Sequence, residues 1–162
     1  MTQLLFLGAQ EMCIRDRHGS ELEPEVKNMV RGVLGVVVGV VLWAVGFYVL
    51  AIVLAQLWPD YAIHGREWMR QGVFTFTPPM ACCNLVFWVL AEIGAGWVTG
   101  KIAKRRAAVW VLAGLLGIYL AVLHLVVYWT RFPWWYNLGV VIPAVPAVLL
   151  GGKLAKSLRA PE

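Results

Sequence analysis

Residues 32–59, Gly32 to Pro59, read GVLGVVVGVVLWAVGFYVLAIVLAQLWP without one charged side chain. A helix needs roughly 20 apolar residues, at about 1.5 Å of rise each, to cross the hydrocarbon core of a bilayer. The stretch meets that length. Its apolar run is continuous, whereas a membrane barrel strand alternates apolar and polar positions over about ten residues. Three further stretches repeat the pattern: residues 71–100 with the single charge Glu92, residues 107–130 with no charge when His124 is neutral, and residues 132–152 with no charge. The helices expected are Val33–Leu57, Met80–Gly100, Ala108–Trp129 and Trp134–Gly152. The predicted fold is an all-α membrane protein, a bundle of four transmembrane helices over residues 32–152.

Composition agrees. Of 162 residues, 60% are hydrophobic and 14% charged, and mean hydropathy is +0.71. Soluble domains carry about 25% charged residues, and so few polar groups cannot cover a soluble core of this size. Cys82 and Cys83 are neighbours that do not readily bridge each other. No zinc spacing is present; buried free thiols are expected, with pairing between subunits as the alternative.

Met12-Cys13-Ile14-Arg15-Asp16-Arg17 resembles one translated frame of the transposon end used in sequencing-library preparation. That resemblance implies that residues 1–17 are a foreign fragment of metagenomic origin, and that the native chain starts near Gly19 or Ser20, or at Met29. The Met1–Ala9 stretch lacks the basic region of a signal peptide. Residues 18–31, with Glu21, Glu23, Pro24, Glu25, Lys27 and Asn28, read as a polar lead-in, and residues 153–162 as a basic tail.

Lysine and arginine set orientation. The lead-in holds Lys27 and Arg31, the second loop Lys101, Lys104, Arg105 and Arg106, and the tail Lys153, Lys156 and Arg159; the other loops hold only Arg66, Arg70 and Arg131. Both termini are therefore expected in the cytoplasm, with the chain in a bacterial inner membrane. Each basic cluster abuts a helix end, where lipid headgroups supply counter-charge, so the bilayer and not a nucleic acid is the partner expected. Trp58, Tyr61, Trp68, Trp129, Trp134, Trp135 and Tyr136 collect at the outer ends, as interfacial aromatics do. The first loop, Trp58 to Pro79, is expected to lie along the outer surface, with Pro78-Pro79 forcing an extended entry into the second helix.

Small residues mark helix interfaces in lipid. Gly32, Gly35, Gly39 and Gly46 stripe the first helix, Gly96 and Gly100 the second, Gly114, Gly117 and Ala121 the third, and Gly139, Pro143, Ala147 and Gly151 the fourth. One compact bundle is expected. The same seams would also serve a homo-oligomer or contacts with other membrane subunits.

Glu92 is the only acid inside a span. A charged carboxylate at mid-membrane costs about 2.5–3.5 kcal/mol on insertion scales, so its neutral form is expected to face the interior, on the face of Gly96 and Thr99. At about 12 Å from the basic end, it is level with Pro143 and Pro146. Those prolines leave the carbonyls of Gly139 and Ile142 without amide donors, and a neutral Glu92 is expected to donate to one of them. His124 sits about 24 Å from that end, at the height of Asn84, Tyr48 and Asn137, with Asn84 or Tyr48 as its expected partner. Glu92, His124, Asn84 and Tyr48 form the candidate buried polar or proton site. His64 and Glu67 lack a third ligand at metal spacing, and no catalytic triad order, phosphate loop or nucleotide fingerprint is present, so no cofactor, no metal and no enzymatic activity are expected.

Gly100-Lys101-Ile102-Ala103-Lys104-Arg105-Arg106, the Trp135-Tyr136 entry and the Pro146-Ala147 to Gly151-Gly152 exit resemble small uncharacterised bacterial four-helix inner-membrane proteins, over residues 96–156. The resemblance implies no activity. Small multidrug exporters also carry a glutamate in a four-helix membrane chain, but in the first helix. The expected role is a non-enzymatic structural or accessory membrane subunit; the alternative is a small proton-linked transporter or exporter that uses Glu92.

Overall fold

The computed structural model describes the backbone of residues 2–157 and the side chains of residues 25–156. Five α-helices follow in order: α1 (Thr2–Leu57), α2 (Pro59–Gln71), α3 (Pro78–Ala103), α4 (Arg106–Ala121) and α5 (Trp134–Ser157); a π-helical segment, Val122–Val127, continues α4. No strand occurs among the described residues. Four spans are long and apolar enough to cross a membrane: Glu25–Leu57, Pro78–Ala103, Arg106–Val127 and Trp134–Lys156. The chain is a four-helix membrane bundle. The side chains of residues 1–17, expected to be a foreign fragment, lie outside the described residues. The backbone of the lead-in at 18–31 is helical and runs directly into the first span as part of α1.

The helix ends follow local chemistry. Trp58 is held extended (φ −134, ψ 91) ahead of Pro59, so α1 stops and α2 starts with proline in its first turn. Gly72 closes α2 in the left-handed region (φ 66), its amide reaching the Trp68 carbonyl. Thr77 is extended before Pro78, as the Pro-Pro pair predicts. The first loop nevertheless contains a full helix, α2. Trp68 on it packs its ring against Phe132 at 4.5 Å and Tyr128 at 5.7 Å, so α2 folds back over the aromatic end of the bundle. Its polar residues hid it from a search for apolar runs.

Lys104 ends α3 in the left-handed region, φ 55 and ψ 8, where a Cβ is unfavourable and glycine is usual. Lys104→Gly is therefore expected to raise unfolding stability by about 1 kcal/mol, read as a shift of the thermal midpoint in detergent.

α3 is the central helix, and it packs against α1, α4 and α5. It runs parallel to α5: Leu85 meets Gly139, Gly96 meets Val148, and Gly100 meets Ala155. At the closest point the two backbones touch with no side chain between them. A Cβ on Gly96 would strike the Val148 carbonyl oxygen, and one on Gly151 would strike the Ile93 carbonyl oxygen. Against α1, a Cβ on Gly35 would come within 3.0 Å of Ala103 Cβ, and one on Gly39 would strike the Thr99 hydroxyl. Thr99 Oγ1 donates to the Gly35 carbonyl at 2.9 Å. Leu112, Leu120, Val140 and Val148 fill the core with no exposure. The seams are narrower than the glycine stripes suggest, since Gly32, Gly46 and Gly114 face open space. Cys82 is exposed and Cys83 half-buried, against the expectation of buried thiols: Cys82 points away from the buried face that carries Asn84, and Cys83 lies beside Tyr61 at its edge.

α1 leaves the bundle as it nears α2. No residue from 44 to 57 is fully buried, and Tyr48, Ile52 and Leu57 stand open. That divergence produces the cleft described next.

Candidate functional site

The buried polar side chains are Asn84, Glu92 and Thr99 on α3, His124 on the π-helical segment and Asn137 on α5. The three from α3 share one helical face, the one carrying Trp88, Ala95 and Gly96.

Two hydrogen-bonded pairs occupy the aromatic end. The Tyr61 hydroxyl on α2 donates to Asn84 Oδ1 at 2.6 Å. His124 Nδ1 and Asn137 Oδ1 lie 3.0 Å apart, and Asn137 Nδ2 donates to the Phe132 carbonyl at 3.3 Å. With the Asn137 amide fixed by Phe132, its oxygen faces the ring, so His124 Nδ1 carries the proton and Nε2 keeps its lone pair. The partner of His124 is thus Asn137, not Asn84 or Tyr48. Asn84 is taken by Tyr61, and Tyr48 is 69% exposed. The π segment shifts the chain by a residue, with the Tyr128 amide bonded to the Leu123 carbonyl. This wider turn sets the imidazole edge-on to Trp88 at 6.1 Å and Tyr128 at 5.7 Å.

Between the diverging half of α1, α2 and the α4–π segment lies a cleft of about 840 Å³. Trp43, Phe47, Trp88 and Tyr119 give it aromatic faces; Asn84 and His124 give it a polar wall, and Arg66 is its one fully charged lining residue. Phe47 stacks on Trp88 at 4.2 Å, and Trp43 lies tilted against Trp88 at 5.5 Å.

Glu92 lies one helical turn beyond Trp88, beneath this aromatic floor. Its exposure is 0%. Neither of its carboxyl oxygens, nor the indole nitrogens of Trp43 and Trp88, has a hydrogen-bond partner among the described residues. The expected bond from Glu92 to the Gly139 or Ile142 carbonyl is not made. Each such buried, unpartnered group costs on the order of 1–3 kcal/mol. The Glu92 carboxyl and the Trp43 N–H are therefore left without partners in the core, while the Trp88 indole faces the Tyr136 hydroxyl without forming a well-aligned bond.

Thus His124, Asn84 and Tyr48 line one cleft, whereas Glu92 does not line it and is joined to it only through Trp88, one turn away on α3. Tyr61, Trp43 and Trp88 are not among the candidate site residues expected from the sequence, and Asn137, expected at the height of His124, is not the partner expected for it. Trp88 had a signal, its i−4 spacing from Glu92. Tyr61 had none beyond its place among interfacial aromatics. His64 bonds Thr75 Oγ1 at 3.1 Å, and no group of three potential metal ligands occurs among the described residues.

Burial holds the Tyr61 phenol above its ordinary ionisation range, an effect only partly offset by its bond to Asn84. The folded protein thus keeps this proton where the unfolded chain loses it. The stabilisation is complete below the ordinary phenol value near 10 and is lost as pH rises through the folded value. Tyr61→Phe is expected to cost about 1–3 kcal/mol by stranding Asn84 Oδ1 and to flatten the loss of stability above about pH 10; thermal midpoints at pH 8 and 10.5 measure both.

Comparison with protein-family models, with characterised proteins and with solved structures finds no match to this chain.

Proposed function

We propose that this membrane protein is a small proton-linked carrier in which Glu92 is the proton-bearing group and the aromatic cleft receives the solute. The observation that carries the reading is the Glu92 carboxyl, shut into the core with both oxygens unpartnered. A carboxyl serving only to hold helices together gains from a hydrogen bond, and the α5 carbonyls freed by Pro143 and Pro146 are in the adjacent helix. Ionisable residues within membrane helices mark substrate, ion and proton pathways, and this one lacks, among the described residues, the carbonyl partner that a purely structural carboxyl would take.

The solute that fits is an amphipathic organic cation. Aromatic faces attract cations, and the carboxylate left when Glu92 gives up its proton supplies the counter-charge. Arg66 stands exposed at the outer rim, where solvent screens its repulsion. Exchange is balanced in charge: the carboxyl releases a proton, and one solute cation takes the place beside the resulting carboxylate. Placing the basic ends in the cytoplasm, as the lysine and arginine distribution favours, puts the cleft on the outer side of a bacterial inner membrane.

Proteoliposomes test this. With an imposed pH gradient, the full-length chain is expected to move ethidium against its concentration gradient, and collapse of the gradient by an ionophore abolishes the movement. Ethidium flux equal to that of protein-free liposomes counts against the carrier reading. A second reading, an accessory subunit without transport, is favoured by the exposed apolar side of α1 from Val45 to Leu57, which a neighbouring helix would cover. An inert chain in the flux assay supports it.

A further inference from the structure

A second cavity, of about 710 Å³, opens at the other end of the bundle, between the α3–α4 turn and the last turns of α5. Its rim holds Lys104, Arg105, Arg106, Lys153 and Lys156, all exposed. No aspartate or glutamate lines it, and none of these five cations forms an ion pair among the described residues. Its floor is apolar, made by Val109, Trp110, Leu149 and Leu150. Trp110 is 60% exposed, one turn into α4, at the depth where a lipid glycerol and the first acyl carbons would lie.

Like charges gathered on one rim repel one another unless an anion sits among them. An apolar floor directly beneath that rim calls for a ligand with a hydrocarbon part attached to the anion. Lys104 adds to the case: it occupies a left-handed position where glycine is unstrained, so the cation is kept at a conformational cost.

We propose that this cavity binds an anionic phospholipid, with the phosphate among Lys104, Arg105, Arg106, Lys153 and Lys156 and the acyl chains along Trp110, Leu149 and Leu150. The site is independent of the carrier reading. It differs from general headgroup attraction because cations from the α3–α4 turn, α4 and α5 converge on one half-open cavity, and the bound lipid bridges the ends of three helices. Inorganic phosphate shares the headgroup chemistry but has nothing to place on the apolar floor.

The test uses the full chain in a neutral detergent, with native mass spectrometry titrating phosphatidylglycerol, phosphatidylcholine and inorganic phosphate. Phosphatidylglycerol is expected to bind at least about tenfold more tightly than phosphatidylcholine, and millimolar phosphate should not displace it. Each rim cation contributes roughly a factor of five, so the triple substitution Arg105→Ala, Arg106→Ala, Lys153→Ala should weaken binding on the order of 100-fold. Removing Arg66, Arg70 and Arg131 from the opposite end should leave it unchanged. Lys104→Gly, which relieves backbone strain, should weaken binding about fivefold while the protein folds at least as well; it decides the matter if the triple variant fails to fold. Equal affinity for the two lipids, unchanged binding after the rim substitutions, or full displacement by phosphate would overturn the proposal.

Discussion

Alanine at Gly96 or Gly151 should break the α3–α5 pair and give the largest loss of stability of any single methyl group added to this protein. At both positions the new Cβ would meet a backbone carbonyl of the facing helix, Val148 for Gly96 and Ile93 for Gly151. A flexible side chain could swing away, but a helix backbone can retreat only as a unit. The cost is at least the ~1–3 kcal/mol of an overpacked core, and it grows with the close packing that α3 and α5 give up along their length as they separate. Gly114→Ala is the control. Nothing lies within 4 Å of its Cβ position, so its effect should stay within about 0.5 kcal/mol. Thermal unfolding in one detergent, read by size-exclusion fluorescence, compares them. Equal midpoints for Gly96→Ala and Gly114→Ala would mean that the helices do not cross where described.

The second large effect is on flux. Glu92→Gln keeps the size and polarity of the side chain and removes its proton chemistry. The two indole donors and the side-chain oxygen stay in place, so folding should change by less than about 1 kcal/mol. Proton-driven ethidium uptake should fall to the level of protein-free liposomes. If Glu92→Gln instead abolishes assembly, the carboxyl is structural and its second oxygen has a partner. If both folding and uptake are unchanged, the titrating group is elsewhere, and His124 with its free Nε2 is the next residue to replace.

The bundle was legible because hydropathy reports solvation directly. Uncharged runs of membrane length have few alternatives, and the helix start at Trp134 and the end of α1 at Leu57 fall where expected, whereas α3 begins at Pro78, two residues before the expected Met80, because proline fits the first turn of a helix. The inward face of α3 was also legible, since Glu92, Gly96 and Thr99 fall on one side of any helix and a charge in lipid has one economical place to go. Pairings across helices were not. His124 faces Asn137 because a π-helical segment rotates the turn that carries it, and nothing in the apolar run Val122–Val127 distinguishes that segment from ordinary helix. Asn84 pairs with Tyr61 because α2 folds back over the bundle, and α2 is too polar and short to register as a membrane element. The missing bond to Glu92 is a product of three-dimensional register. Helical rise placed the α5 carbonyls at the right height, but height alone does not fix direction. The glycine stripes overstated the seams for a similar reason: Gly35 and Gly39 meet α3, whereas Gly46, two turns further on, lies where α1 has already diverged.

Proton release on ligand binding is the most direct measurement of whether Glu92 exchanges its proton for a cation. Purified protein in weakly buffered detergent is mixed with ethidium while a pH dye reports free protons and ethidium fluorescence reports occupancy. Release of about one proton per ethidium bound in the wild type, and none with Glu92→Gln, is the expected result. Binding without release, or equal release by both proteins, would contradict it.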